Sequence, residues 1–155
     1  MNGFGRGALL VLSALPLCAA PAKAQKHDSA FHAMQMRGKL VMGVDQYTST
    51  HVFEDLPTGG RIALQRDRDD AEGTTVIRAH LKTIAEAFKA GDFTAPALVH
   101  MKDVPGVAVL RAKRAAITYT FRELPRGGEV VVTTADKKAV AAIHEFLEFQ
   151  RKEHH

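Results

Sequence analysis

Thr48-Ser49-Thr50-His51-Val52-Phe53-Glu54-Asp55-Leu56-Pro57-Thr58-Gly59-Gly60-Arg61-Ile62-Ala63-Leu64-Gln65-Arg66 reads as two short strands around one turn. Alternation places Ser49, His51 and Phe53 on one face of the first strand. Proline presets φ and glycine is free to take positive φ, so Leu56–Gly60 closes a β-hairpin. The same chemistry returns 68 positions later, as Phe121-x-x-Leu124-Pro125-x-Gly127-Gly128, with Val130 and Val132 in the places of Ile62 and Leu64. His32 and Gly38 align with His100 and Gly106 under the same shift.

Each hairpin precedes a helical stripe. Ile77, Leu81, Ile84 and Phe88 recur at helical spacing from Thr74 or Thr75 until Gly91, and Val140, Ile143, Phe146, Leu147 and Phe149 mark a second helix over about Asp136–Arg151. Upstream of the first hairpin, Lys39–Val44 reads as another short strand, Gln25–Ala30 as a polar lead-in without structure, and Gly91–Pro105 as an ordered loop. The expectation is one α+β domain, an antiparallel sheet with two helices on one face, built from two βββα-like halves at about 32–91 and 100–152. Two hairpins that acquired the same turn residues independently would predict the same fold class.

The start of the chain differs in kind. Arg6 is followed by an apolar run from Ala8 to Ala20 and by Ala22-Lys23-Ala24, a small-x-small pattern, so residues 1–24 are expected to be a signal peptide cleaved after Ala24. The run is too short to span a bilayer, and no later segment reaches about 18 apolar residues. An exported domain, periplasmic or secreted, with no membrane span after cleavage is the expected product. Cleavage removes Cys18, the only cysteine, so a metal site in the mature domain has only His, Met, Asp and Glu to draw on. Loss of Arg6 and Lys23 lowers the formal charge from +4 to +2, and the remaining charges are interspersed, which argues against a nucleic-acid partner.

Three histidines come from three kinds of local structure: His51 from a strand, His80 from the edge of a helical stripe, His100 from the loop. Imidazole is a common ligand of zinc and copper, and three histidines with an open position suit either ion, so His51, His80 and His100 form the candidate metal site. Beside it stands the plain alternative of core histidines bonded to backbone carbonyls. Secondary candidates are His144 on the second helix and His32 with Met34 and Met36, a His-x-Met-x-Met pattern suited to Cu(I), against which stands ordinary core packing of the methionines. His154 and His155 are expected to be solvated, and Arg78 is expected to pair with Asp67, Asp69, Asp70 or Asp92.

The series Thr50-His51-x-Phe53, Gly59-Gly60, Ile77-Arg78-x-His80-Leu81, Gly91-Asp92-Phe93-x-x-Pro96-Ala97-x-x-His100, Pro105-Gly106 and Ala142-Ile143-His144 resembles an uncharacterised family of small exported bacterial proteins whose members are often labelled aspartate carbamoyltransferase. The resemblance spans about Thr50–His154 and departs from the family pattern at Val104, where methionine is usual, and near Phe146, where tryptophan is common. A transcarbamoylase needs two domains and a phosphate-gripping Ser-Thr-Arg-Thr type helix start, neither of which fits in this chain, so that activity is not expected. Nucleophile signatures are absent as well: Gly-x-Ser-x-Gly does not occur, and Ser29 and Ser49 are the only serines after Ala24.

The function expected from these residues is periplasmic buffering or delivery of copper or zinc through a histidine cluster. The alternative is a metal-free envelope domain that binds a small ligand or a partner without catalysis. Self-association into a homodimer is left open by the sequence.

Overall fold

The computed structural model describes residues 22–154, with side-chain surroundings given from residue 29 onward. Most of the expected leader lies outside the described residues, as does His155. The chain is α+β. Helix α1 (Ala22–Met42) leads through a 3-10 turn into strands β1 (Ser49–Leu56) and β2 (Gly59–Arg66), and then into helix α2 (Ala71–Ala90). Two short helices follow, α3 (Thr94–His100) and α4 (Val107–Lys113), and after a second 3-10 turn come β3 (Thr118–Leu124), β4 (Gly127–Thr133) and α5 (Lys137–Glu153). No helix among the described residues is long and apolar enough to cross a membrane.

The four strands form one antiparallel sheet in the order β1-β2-β4-β3. Both expected hairpins are present, and they join through their second strands. At that central seam Ile62 pairs with Val130, its own counterpart in the other half, while Gly60 faces Val132 and Leu64 faces Gly128. The seam therefore relates the two halves about an axis through the Ile62–Val130 pair. Leu64 and Val130 are fully buried, because both central strands are covered on this face by helices. α5 lies over β2 and β1, and α2 mainly over β4 and β3, so each helix covers the hairpin of the opposite half.

Local chemistry explains the long helices. Asp70 caps α2 by accepting from the Gly73 N–H, and Gly91, at φ 83°, closes it by donating to the carbonyls of Ala87 and Phe88. The cap moves the start of α2 to Ala71, one turn earlier than the apolar stripe alone indicates. Asp136 caps α5 by accepting from Lys138 and Ala139. The buried faces carry Ile77, Leu81, Ile84 and Phe88 on α2 and Ile143, Phe146 and Leu147 on α5, in agreement with the periodicity.

Several expectations fail, most of them in segments between the strong signals. Lys39–Val44 is not a strand: residues to Met42 belong to α1, which also takes in the lead-in expected to lack structure. Short aliphatic runs do not distinguish strand from buried helix, and Met34, Met42 and Val44 are buried against the core. The halves are accordingly αββα, since α4 stands where the end of α1 stands one repeat earlier. Residues 94–100, read as loop, form α3, anchored at its start by Phe93, which stacks on Phe88 with ring centres 4.3 Å apart. Arg78 pairs with none of the four aspartates; it meets Glu123 and donates to the carbonyls of Leu124 and Gly127, tying α2 to the second hairpin.

The seam sets a strict steric condition. A Cβ on Gly127 would collide with the Leu64 carbonyl oxygen, and one on Gly59 with that of Val132. Backbone cannot yield as a flexible side chain does. Gly127→Ala is expected to lower unfolding free energy by about 1–3 kcal/mol, and chemical denaturation followed by circular dichroism measures it.

Candidate functional site

Where β1, α2, α3 and α5 meet, the fold leaves a cavity of about 70 Å³. Its walls are mainly apolar, with Phe53, Ile62, Leu81, Phe88 and Phe146 among them, and into these walls four imidazoles are set: His51, His80, His100 and His154. The three histidines selected from the sequence therefore line one space. The fourth, His154, was expected to be solvated; instead its ring lies 5.2 Å from that of His51, 5.4 Å from Phe53 and 5.3 Å from His100.

Each ring is placed by its element. His51 and Phe53 share the covered face of β1 and stack at 5.3 Å with an interplanar angle of 25°. His80 stands on the half-buried flank of α2, one turn after Ile77. His100 ends α3, whose Val99 carbonyl accepts from Arg37 Nε of α1 at 2.7 Å. His154 caps the end of α5. Arg151 holds that last turn against the sheet edge, giving both Nη atoms to Asp55 at 3.0 and 2.9 Å and Nη1 also to the Phe53 carbonyl at 2.9 Å.

Loss of water decides the protonation state. Burial, with the neighbouring His154 and His80 adding, pushes the His51 imidazolium down to about 3, and burial pushes His80 down to about 4. His100 is also lowered, by burial above all, although its bond to Gln150 and the nearby Glu153 carboxylate work the other way. At neutral pH these three rings are neutral, each offering one N–H donor and one lone pair.

The secondary candidates are placed elsewhere. His144 Nε2 lies 3.0 Å from the Leu56 carbonyl and 2.9 Å from that of Gly59, so it fastens α5 to the first hairpin turn. His32 Nδ1 lies 3.1 Å from the Tyr47 hydroxyl, and the two rings stack. Met34 and Met36 do not form a handle with it: two residues apart on a helix is a turn of about 200°, so Met34 is buried while Met36 is 46% exposed.

Imidazoles without competing protons fit copper or zinc by donor chemistry. Their placement is less favourable, for among the described residues no group of three or more His, Cys, Asp or Glu side chains is arranged to hold a metal ion. Comparison with known proteins adds no assignment: no family model, no curated protein and no solved structure matches the chain.

Residues that sequence reasoning passed over complete the site. Gln150 of α5 is 5% exposed and its Oε1 lies 2.9 Å from His100 Nε2. Gln35 of α1, also buried, lines a more polar cleft of about 240 Å³ that shares His51, Phe53 and His154 with the inner cavity. A glutamine within a buried helical stripe was the available signal for Gln150.

The lowered histidines make a pH prediction. Groups neutral in the folded state but protonated near 6.5 when unfolded confer stability that is complete above 6.5 and is lost as pH falls from there toward 4 and 3. Melting temperature is expected to drop across that window, and the His51 and His80 Cε1–H resonances to stay unshifted from pH 7.5 to 5.5. Arg151→Ala is expected to release the last turn of α5, seen as faster amide exchange around Arg151–His154 with little change in β2 and β4.

Proposed function

We propose that this chain is an exported envelope domain that binds a small ligand in the histidine-lined cavity and carries out no reaction on it. The observation that carries the reading is the pairing of apolar walls with four imidazoles, at least three of them neutral, in one space. Binding sites for small molecules combine apolar walls with a few polar groups that fix orientation, and this lining has that composition. The absence of a nucleophile signature from the sequence accords with binding rather than turnover.

A second reading, copper or zinc binding, is favoured by one specific feature: His154 has the rings of both His51 and His100 within 5.3 Å. Imidazole nitrogens must come to about 2.0–2.1 Å from a shared ion, so this reading requires side-chain rotation around His154.

Titration of the leaderless protein with Zn(II), Cu(II), and anaerobically Cu(I), in parallel with toluene as an apolar probe, separates the two. Cavity binding predicts toluene-dependent shifts of the His51 and Phe53 resonances and a raised melting temperature, with ions leaving both unchanged. Ion binding predicts a raised melting temperature with one of the metals that His154→Ala abolishes and that weakens as pH falls. Silence toward toluene would remove the first reading.

A further inference from the structure

Both helices that pack on the sheet, α2 and α5, lie on the same face, which leaves the other face without a covering layer among the described residues. An antiparallel sheet can keep one face in water, so what this face carries decides its use. By alternation it presents Val52 and Glu54 from β1, Arg61 and Ala63 from β2, Glu129 and Val131 from β4, and Thr120 and Arg122 from β3. The four uncharged residues are small or β-branched, so the surface between the charges stays flat.

The charges form one stripe across all four strands. Arg61 Nε lies 2.7 Å from Glu54 and its Nη1 lies 3.1 Å from Glu129, while Arg122 Nη1 stands 4.0 Å from Glu129 on the far side. In the strand order β1-β2-β4-β3 the signs therefore run minus, plus, minus, plus. The 68-residue shift accounts for the alternation. Glu54 and Arg122 occupy equivalent positions in the two halves, as do Arg61 and Glu129, and the charge is inverted at both. Glu129 is buried between two arginines, whereas Glu54 and Arg122 at the ends of the stripe are exposed and free to meet a further charge.

A row with these signs is complementary to itself read backwards. We infer that the open face is a self-association surface, on which a second copy of this chain packs sheet to sheet about a two-fold axis that lies in the interface and crosses the stripe at right angles. That axis reverses the stripe, so Glu54 of each copy meets Arg122 of the other, and Arg61 of each meets Glu129 of the other. A nucleic acid or an anionic membrane would require one sign of charge, and this stripe sums to zero. Area agrees: four strands about 4.8 Å apart and each about 25 Å long give a face of roughly 19 by 25 Å, so two such faces bury on the order of 1,000 Å² in total, where specific interfaces begin. The contact is independent of the histidine cavity, which lies on the helical side of the sheet.

Sedimentation velocity on the leaderless chain, with amide shifts followed against concentration by nuclear magnetic resonance, tests the inference. The unaltered chain is expected to dimerise in the micromolar range, less strongly as salt is raised, with the Val52, Ala63, Thr120 and Val131 amides moving as it does. Glu54→Arg and Arg122→Glu, both at exposed positions, are each expected to weaken the dimer at least tenfold, because each sets like charges against one another across the axis. Mixed in equal amounts, the two variants are expected to regain it, since each chain then carries the charge that the other's stripe lacks. A chain that stays monomeric at millimolar concentration overturns the proposal, as does a dimer that neither substitution weakens or one whose shifts fall elsewhere, such as along β3 alone. A mixture that remains monomeric, with both variants folded by circular dichroism, overturns the stripe-to-stripe register. The shift map of the unaltered protein decides where the copies meet even if a variant fails to fold.

Discussion

Ile62 and Val130 face each other across the centre of the sheet, and the rest of the architecture follows from that pair. Because β2 and β4 join there, the first strand of each hairpin is pushed to an edge and the two turns point to opposite ends. Each long helix can then bury its stripe only by lying over the other half's hairpin, α5 on β1 and β2, α2 mainly on β3 and β4. Neither half covers its own sheet, so cutting the chain between them would expose both apolar faces. The histidine cavity lies where β1, at one edge, meets helices that come from both halves, which is why its imidazoles come from positions as distant as 51 and 154.

The hairpins and the two long helices were legible because their signals are local. Leu56-Pro57-Thr58-Gly59-Gly60 and Leu124-Pro125-Arg126-Gly127-Gly128 encode turn geometry in the residues that adopt it, and the stripe from Ile77 to Phe88 encodes a buried face in its own spacing. Lys39–Val44 was misread because a short aliphatic run carries no period, and what decides it there is the continuation of α1 from well upstream. α3 was missed for a related reason. Asp92 accepts from the Thr94 N–H and hydroxyl at its start, and the helix is held further by Phe93 inserted beside Phe88 and by Arg37 reaching across from α1. The Arg37 contact spans 62 residues and leaves no trace in the segment itself.

The site divides in the same way. His51 could be placed beside Phe53 because strand alternation is local, and His80 beside Ile77 because helical spacing is local. His154 looked like a solvated end because nothing near it in sequence predicts burial. Its position is set by Arg151, whose guanidinium grips Asp55 and the Phe53 carbonyl nearly a hundred residues away. An exposed ion pair usually contributes little, but this one is bidentate and adds a carbonyl, so its effect is to fix a direction more than to supply stability. It turns the end of α5 onto β1 and carries His154 against His51.

The opposite half serves as an internal control. Tyr119 stands on β3 where His51 stands on β1, and the space beneath it is closed to about 10 Å³ by Phe88, Phe93, Leu110 and Phe146. Burial raises the Tyr119 hydroxyl to about 12, so that residue acts as a neutral core aromatic. One scaffold thus packs solidly under one outer strand and leaves room under the other. The room is not a by-product of joining two hairpins, because the same joint is filled on the tyrosine side. At one position the exchange is direct, His51 standing where the filled half has Tyr119, and an imidazole is smaller than a phenol ring while keeping a donor and an acceptor. Unpaired buried polar atoms occur on both sides, the Tyr119 hydroxyl in the filled half and His100 Nδ1 and Gln150 Nε2 beside the open one, so what sets the histidine side apart is the room itself, and the packing forgone there argues for use of the space.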